Sequence, residues 1–128
     1  MNESSSAADS ALAVMHAHLD ALNARDADAL AATLHFPHYR LVGSTMKVWP
    51  DADDYLSDFF ARAGGDWAYT RWNRLEVLSS NVDKVHIRAE IHRFRKDDSL
   101  ITHFESMWVI TRIEGRWAAQ LRSSFANR

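Results

Sequence analysis

The sequence contains no cysteine, which excludes disulfide bonds and thiolate chemistry and fits a reducing cytoplasm. No apolar run approaches the roughly 18 residues that a membrane span requires, and the polar, serine-rich start lacks the apolar core of a signal peptide. The 15 lysine and arginine residues are interspersed with 17 aspartate and glutamate residues, without a basic cluster. We therefore expect a cytoplasmic protein without a nucleic-acid or membrane partner.

The residues that are present are typical of a folded domain. Hydrophobic residues make up 47% of the 128 positions and charged residues 25%, close to the average of soluble globular proteins. A chain of this length closes around one core. The sequence predicts a disordered tail at residues 1–7 and a single domain at residues 8–128.

Three helices are predicted in the first half. Ser6 and Asp9 resemble a capping box, and a helix ending near Arg25 follows from the apolar stripe Ala8, Leu12, Met15, Leu19 and Leu22. Asp26 can cap a short second helix that Pro37 stops, because a proline disfavours helix at the preceding residue. An extended stretch, Tyr39 to Trp49, leads to a third helix.

The third helix begins at Pro50 and Asp51 and ends at Gly64 and Gly65, since glycine accepts the left-handed cap conformation. Its apolar face would consist of Tyr55, Leu56, Phe59, Phe60 and Ala63. The remaining sequence alternates apolar and polar residues between turn signals. It predicts an antiparallel meander of four strands: Trp67–Leu78, Lys84–Arg95, Leu100–Ile113 and Arg116–Phe125.

Two-residue turns at Asp97-Asp98 and Glu114-Gly115 predict the register of the last three strands. One face then collects Val85, Ile87, Ala89, Ile91, Phe104, Trp108, Ile110, Trp117, Ala119, Leu121 and Phe125, interrupted by Arg93, Thr102, Ser106 and Ser123. The other face collects His86, Arg88, Glu90, His92, His103, Glu105, Gln120 and Arg122, with Met107 and Val109. A slip of one residue would mix the faces, so the separation supports the register. The apolar face should cover the helices.

Two local sequences accompany this order of elements: Asn23-Ala24-Arg25-Asp26 with Leu30 beyond it, and Thr111 to Trp117 with its Gly-x-Trp hairpin. From about Ala8 to Phe125 the chain resembles the nuclear transport factor 2-like superfamily, which includes ketosteroid isomerase and SnoaL-like proteins. The resemblance implies an α+β fold, a cystatin-like roll in which a cone-shaped, curved antiparallel sheet wraps around three N-terminal helices. It also favours a homodimer, since these cones often pair sheet to sheet.

His35-Phe36-Pro37-His38 places two imidazoles around a proline at the start of the first strand, where His38 would lie at the mouth of the cone. Histidine titrates near neutrality, so His38 is the candidate acid or base. The alternative is that one histidine caps the second helix and the other is a solvated edge residue. His35, His38, His103 and Glu105 could ligate a metal, but their spacing forms no compact motif, and we expect neither a metal nor another cofactor.

Arg93 interrupts the apolar face and would meet an anionic ligand or pair with an acid at the rim; alternatively, its stem would lie on apolar surface with the head in water. Ser106, Tyr55 and Trp67 could line the same pocket, although aromatic residues at these spacings are also typical of a core. Ketosteroid isomerase-like catalysis needs carboxylates in the cavity, and the register places no Asp or Glu inward on the last three strands. Steroid isomerase activity is therefore not expected.

Three classes of function remain open at this stage. The first is an isomerase, dehydratase or cyclase-like enzyme that uses His38 in an apolar cone, with Arg93 orienting a small molecule. The second is a non-catalytic ligand-binding or homodimerisation module. The third is a protein-interaction domain that works through the sheet and has a filled cone. The outer face is either plain solvent-facing sheet or a wet dimer interface, in which Met107 and Val109 lie among charges such as His92 opposite Glu105.

Overall fold

The computed structural model describes the backbone of residues 3–62 and 65–126, and the side chains of residues 6–58 and 65–126. The helices are α1 (Glu3–Ala24), α2 (Ala27–Ala32) and α3 (Ala52–Arg62). The strands are β1 (Leu34–Val42), β2 (Thr45–Trp49), β3 (Tyr69–Ser80), β4 (Lys84–Phe94), β5 (Leu100–Ile113) and β6 (Arg116–Ser124). They form one curved six-stranded sheet in the order β2-β1-β6-β5-β4-β3. The α+β architecture expected from the sequence is confirmed.

Helix α1 lies across the inner face of the sheet, in contact with β3, β4, β5 and β6, while α3 packs against α2 and β2. Met15 of α1 is fully buried against a core of inward-facing strand residues that includes Ile87, Trp108 and Ile110. None of the helices among the described residues is long and apolar enough to cross a membrane.

The helix ends follow local capping chemistry. Arg25 takes the left-handed conformation at φ 56°, and the amides of Arg25 and Asp26 donate to the carbonyls of Leu22 and Ala21. These two bonds form a Schellman motif that ends α1 where the sequence predicted. Asp26 then caps α2 by accepting from the amide of Ala29 at 3.1 Å. At the other end, α1 begins at Glu3, earlier than the expected start near Ala8.

The predicted end of the second helix needs correction. Helix α2 ends at Ala32, and Pro37 lies inside β1 instead of stopping the helix. Strand β1 runs parallel to β6, and their register shifts between Leu34 and Tyr39, so Pro37 lies in an irregularity of the ladder. Proline is tolerated there because an irregular position does not require its missing N–H. The third helix is confirmed, but Ala63, Gly64 and the side chains of Phe59 and Phe60 lie outside the described residues.

The predicted register of β4 and β5 is confirmed from Lys84 opposite Thr111 to Arg93 opposite Thr102. The connection itself is longer than a two-residue turn, since β4 ends at Phe94 and β5 begins at Leu100. On the outer face His92 lies opposite His103, and Glu90 lies opposite Glu105, so the expected His92–Glu105 pair is wrong.

The β5–β6 hairpin turns at Glu114 and Gly115, which have φ angles of 52° and 78°. Positive φ at both central residues is the signature of a type I′ turn, and the two-residue turn that the sequence predicted here is confirmed. The register then changes: Ile110 lies opposite Ala119, but Val109 lies opposite Leu121. Gln120 is therefore the extra residue of a β-bulge.

The bulge reverses the faces of β6 beyond Gln120, because one extra residue exchanges inward and outward side chains. Arg122, predicted on the outer face, lies opposite the buried Trp108. Ser123 lies opposite Met107 on the outer face, and Phe125 is 77% exposed, although both were predicted inward. The bulge thus places an arginine inside the cone.

Candidate functional site

A cavity of about 60 Å³ lies between α1, α3 and the inner face of the sheet. A volume of this size has room for roughly four to six water-sized groups. Arginine, aromatic and small hydroxyl side chains line it together with His18, Leu22 and Ile91. The lining includes Arg40, Arg93 and Arg122 and contains no aspartate or glutamate among the described residues. Among the described residues, the lining of the cavity therefore carries positive side chains and no negative ones.

The alternation of side chains along the strands and the helical period of α1 place these side chains at the cavity. Arg93 on β4 and Ser106 on β5 point inward because the β4–β5 register places them with the apolar residues. Leu22 lies one turn after His18 on α1, so both face the sheet from above. Tyr55 enters from α3 and is 1% exposed.

Arg122 occupies the centre of this arrangement. Its guanidinium carbon lies 4.8 Å from the ring centroid of Trp108, and one terminal nitrogen donates to the hydroxyl of Tyr55 at 3.3 Å. Its Nε is fully buried and has no hydrogen-bond partner among the described residues. A buried guanidinium donor without a partner is costly, and because Nε is enclosed, a bound acceptor would have to meet the terminal nitrogens of Arg122.

Two of the other predicted residues line the same cavity with defined contacts. The guanidinium carbon of Arg93 lies 4.9 Å from the ring centroid of Phe104. Ser106 is buried, and its hydroxyl accepts the indole N–H of Trp108 at 2.8 Å. The structure therefore brings Arg93, Ser106 and Tyr55 together around one space.

Trp67 does not belong to that group. Its indole N–H donates to the hydroxyl of Thr70 at 2.9 Å, and the guanidinium of Arg25 lies 4.4 Å from its ring centroid. Trp67 lines a separate, open groove on the surface with Asp66 and Arg95. The expectation that it faces the cavity is corrected by this position.

His38 lies in the interior instead of at the mouth. Its side chain is 0% exposed, stacks on Trp49 and meets Tyr55 edge to face. Nδ1 donates to the carbonyl of Ala119 at 3.1 Å, and Nε2 has no hydrogen-bond partner among the described residues. Burial, followed by the charge of Arg122, lowers the pKa of His38 from 6.5 to about 3. His38 is therefore neutral at physiological pH and does not line the cavity.

The residues considered as metal ligands are dispersed. His35 donates from Nε2 to the carbonyl of Thr111 at 2.9 Å and accepts from Arg116 at Nδ1, so both ring nitrogens are engaged. His103 and Glu105 lie on the outer face of β5. Within the described part of the chain, no group of three histidine, aspartate or glutamate side chains is gathered that could hold a metal ion.

His18 is a cavity residue that the sequence reasoning missed. Its side chain is 3% exposed, and its ring contacts Trp108 with the centroids 5.0 Å apart. Nδ1 lies 2.8 Å from the hydroxyl of Thr33. Burial, then the charges of Arg122 and His38, lower its pKa well below the usual 6.5. The signal was present in the sequence, since His18 lies three residues after Met15 on the apolar stripe of α1.

Sequence comparison gives no assignment: no protein-family model matches the chain, and no curated protein does. Solved structures do match. A protein of unknown function with a cystatin-like fold from Nostoc punctiforme has a TM-score of 0.76 at 12% identity, covering 92% of this chain and 89% of its own. An NTF-2 like protein of unknown function from Shewanella oneidensis has a TM-score of 0.72 at 12% identity, covering 93% and 98%.

A ketosteroid isomerase-like protein from Erwinia carotovora atroseptica has a TM-score of 0.67 at 17% identity, covering 93% of this chain and 96% of its own. Identities this low concern the fold and leave activity undetermined. The order of the elements, the six-stranded curved sheet and these matches agree with the resemblance seen in the sequence. The chain has the nuclear transport factor 2-like, cystatin-like fold.

Proposed function

We propose that this protein binds a small organic anion in the cavity between α1 and the sheet. The observation that carries the proposal is the lining: three arginine side chains reach the cavity, and no carboxylate among the described residues does. Fixed cations in a partly apolar site attract an anion, and arginine matches a carboxylate through two parallel hydrogen bonds. The aromatic rings of Trp108, Trp72 and Phe104 supply the apolar walls.

The neutral histidines agree with this view. The charge of Arg122 contributes to the lowered pKa of both His18 and His38, so an additional cation is disfavoured there. A bound anion would instead be stabilised by the same charge. The volume of about 60 Å³ favours a short acid over a large ring system.

Binding, rather than ketosteroid isomerase-like proton transfer, is the function that this geometry supports best. One similar structure is that of a ketosteroid isomerase-like protein, and ketosteroid isomerase catalysis uses carboxylates in the cavity. The described lining has none. An isomerase, dehydratase or cyclase reaction through His38 is not supported by its position, because the imidazole is enclosed against Tyr55 and Trp49 and does not line the cavity.

The test is a titration with small ligands of matched shape and different charge: propionate, propionamide and propylamine, followed by NMR chemical shifts. We expect propionate to bind and the other two to bind at least tenfold more weakly. Arg93→Ala and Arg122→Gln should each weaken propionate binding, because a charge-assisted hydrogen bond contributes about 1.5–3 kcal/mol.

Arg88→Gln is the matched control. It removes the same charge from the outer face, where Arg88 pairs with Glu105 at 2.6 Å. Equal weakening by Arg88→Gln and Arg122→Gln would show that only net charge matters, and would contradict a site in the cavity. Equal affinity for the three ligands would contradict the preference for an anion.

A further inference from the structure

The hydrogen bonds around His18 determine which of its ring nitrogens carries the proton. The hydroxyl of Thr33 donates to the carbonyl of Leu30 at 2.7 Å, so its single proton is already used. The same hydroxyl lies 2.8 Å from Nδ1 of His18 and can only accept there. Nδ1 of His18 therefore carries the proton, and Nε2 has a bare lone pair.

Nε2 of His18 opens on the cavity. It makes no hydrogen bond within the described part of the chain, and unlike Nε2 of His38 it is not completely enclosed by protein atoms. The residue is 3% exposed and lines the cavity, so the cavity is where this nitrogen meets free space. Burial and the nearby Arg122 keep the ring from taking a second proton. Nε2 is thus a hydrogen-bond acceptor and not a donor.

This acceptor lies beside the arginine that we assign to the anion. The ring centroids of His18 and Trp108 are 5.0 Å apart, and the guanidinium carbon of Arg122 lies 4.8 Å from the ring centroid of the same tryptophan. Both side chains also line the cavity, so one short ligand can contact the cationic donor Arg122 and the neutral acceptor His18. The complementary ligand carries a negative group and one hydrogen-bond donor.

We propose that the ligand is a short hydroxy acid, whose carboxylate binds Arg122 and whose hydroxyl donates to Nε2 of His18. This inference rests on the proposed anion-binding function and adds the second recognition element. An oxo acid of the same size would place a carbonyl lone pair against the lone pair of Nε2. An amino acid would bring an ammonium group into the field of the arginines, which disfavours positive charge at this position. A hydroxyl group avoids both penalties.

The experiment compares pairs of ligands that differ only in this group. Wild-type protein is titrated with each enantiomer of lactate and of 3-hydroxybutyrate, and with pyruvate, acetoacetate and alanine, by calorimetry at pH 7.5. We expect at least one hydroxy acid to bind roughly three- to tenfold more tightly than its oxo partner, as one hydrogen bond provides. Alanine should bind more weakly than lactate.

The variant His18→Leu should bring the ratio of hydroxy-acid to oxo-acid affinity close to one. His38→Asn, a change at a buried histidine that does not line the cavity, should preserve it. If His18→Leu does not fold, nitrogen-15 NMR of the wild-type imidazoles replaces it. A proton on Nδ1 of His18 and a shift of Nε2 on adding the hydroxy acid support the proposal, whereas a proton on Nε2 overturns it.

The outcomes separate this inference from the proposed function. Oxo acids that bind as tightly as their hydroxy partners would refute the role of His18 and leave anion binding intact. If none of the acids binds, both proposals fail. If alanine binds more tightly than lactate, a cation is accepted beside His18, and the hydroxy-acid assignment is wrong.

Discussion

The buried histidines should make this fold sensitive to mild acid, and His38 allows the size of the effect to be worked out. Its pKa is about 3 in the folded chain and 6.5 in the unfolded chain. The unfolded chain therefore binds a proton first as the pH falls. Well above pH 6.5 both states are neutral, so His38 causes no loss there. The free energy of unfolding then falls progressively as the pH drops from about 6.5 toward 3. Between pH 7.5 and pH 5 the loss from His38 alone is about 2 kcal/mol.

Such a loss is a large share of the 5–15 kcal/mol that a typical domain has. His18 adds a further loss of the same sign, because its pKa is also lowered. The assay is urea unfolding followed by tryptophan fluorescence at pH 7.5, 6.5, 5.5 and 5, above the range in which most carboxyl groups titrate. We expect the free energy of unfolding to fall steadily across this series.

His38→Asn isolates the contribution of His38, since the amide nitrogen can replace Nδ1 as the donor to Ala119. The variant should be less stable at pH 7.5, because it leaves space beside Trp49, but its loss between pH 7.5 and pH 5 should be smaller by about 2 kcal/mol. His16→Asn, at an exposed position on α1, is the control and should keep the wild-type slope. An unchanged slope in His38→Asn would refute the linkage argument.

Three further predictions concern the hairpin, the outer face and metals. Gly115→Ala should lower the free energy of unfolding by about 1 kcal/mol, because φ is +78° there while nothing crowds the added methyl group; no loss in urea unfolding would contradict this. The outer face of β4 and β5 should form a homodimer, and Glu105→Arg should weaken it more than Asp9→Arg. A monomer at micromolar concentration in light scattering would overturn the homodimer. Glu105 pairs with Arg88, so the double variant Arg88→Glu with Glu105→Arg restores that internal ion pair and distinguishes its loss from the loss of the interface. Protein purified without added metal should contain none by elemental analysis, and stoichiometric zinc or iron would contradict the prediction.

Much of the fold was predictable because its determinants are local or pairwise. The cap at Asp26 and the turn at Glu114 and Gly115 depend on residues a few positions apart. The register of β4 and β5 follows from alternation, since both strands have one apolar face. That register was sufficient to place Arg93 and Ser106 on the inner side.

The composition of the site depended on contacts between distant segments. The bulge at Gln120 turns Arg122 inward, and the spacing of apolar and polar residues along β6 does not indicate the extra residue. The parallel pairing of β1 with β6 brings His38 against Ala119, far from the mouth where the sequence placed it. A parallel pair between the first and last strands has no turn to fix its register, so pattern alone does not reveal it.

The sequence by itself therefore determined the order of the helices and strands, their caps and the apolar face of the sheet, because backbone hydrogen bonding and alternation act over short distances. Only the tertiary structure decided that the cavity holds His18 and Arg122, that Trp67 lies in a separate groove and that His38 is enclosed. The physical reason is that the site forms where α1, α3 and the sheet converge. Which side chains meet there depends on the packing of the whole domain.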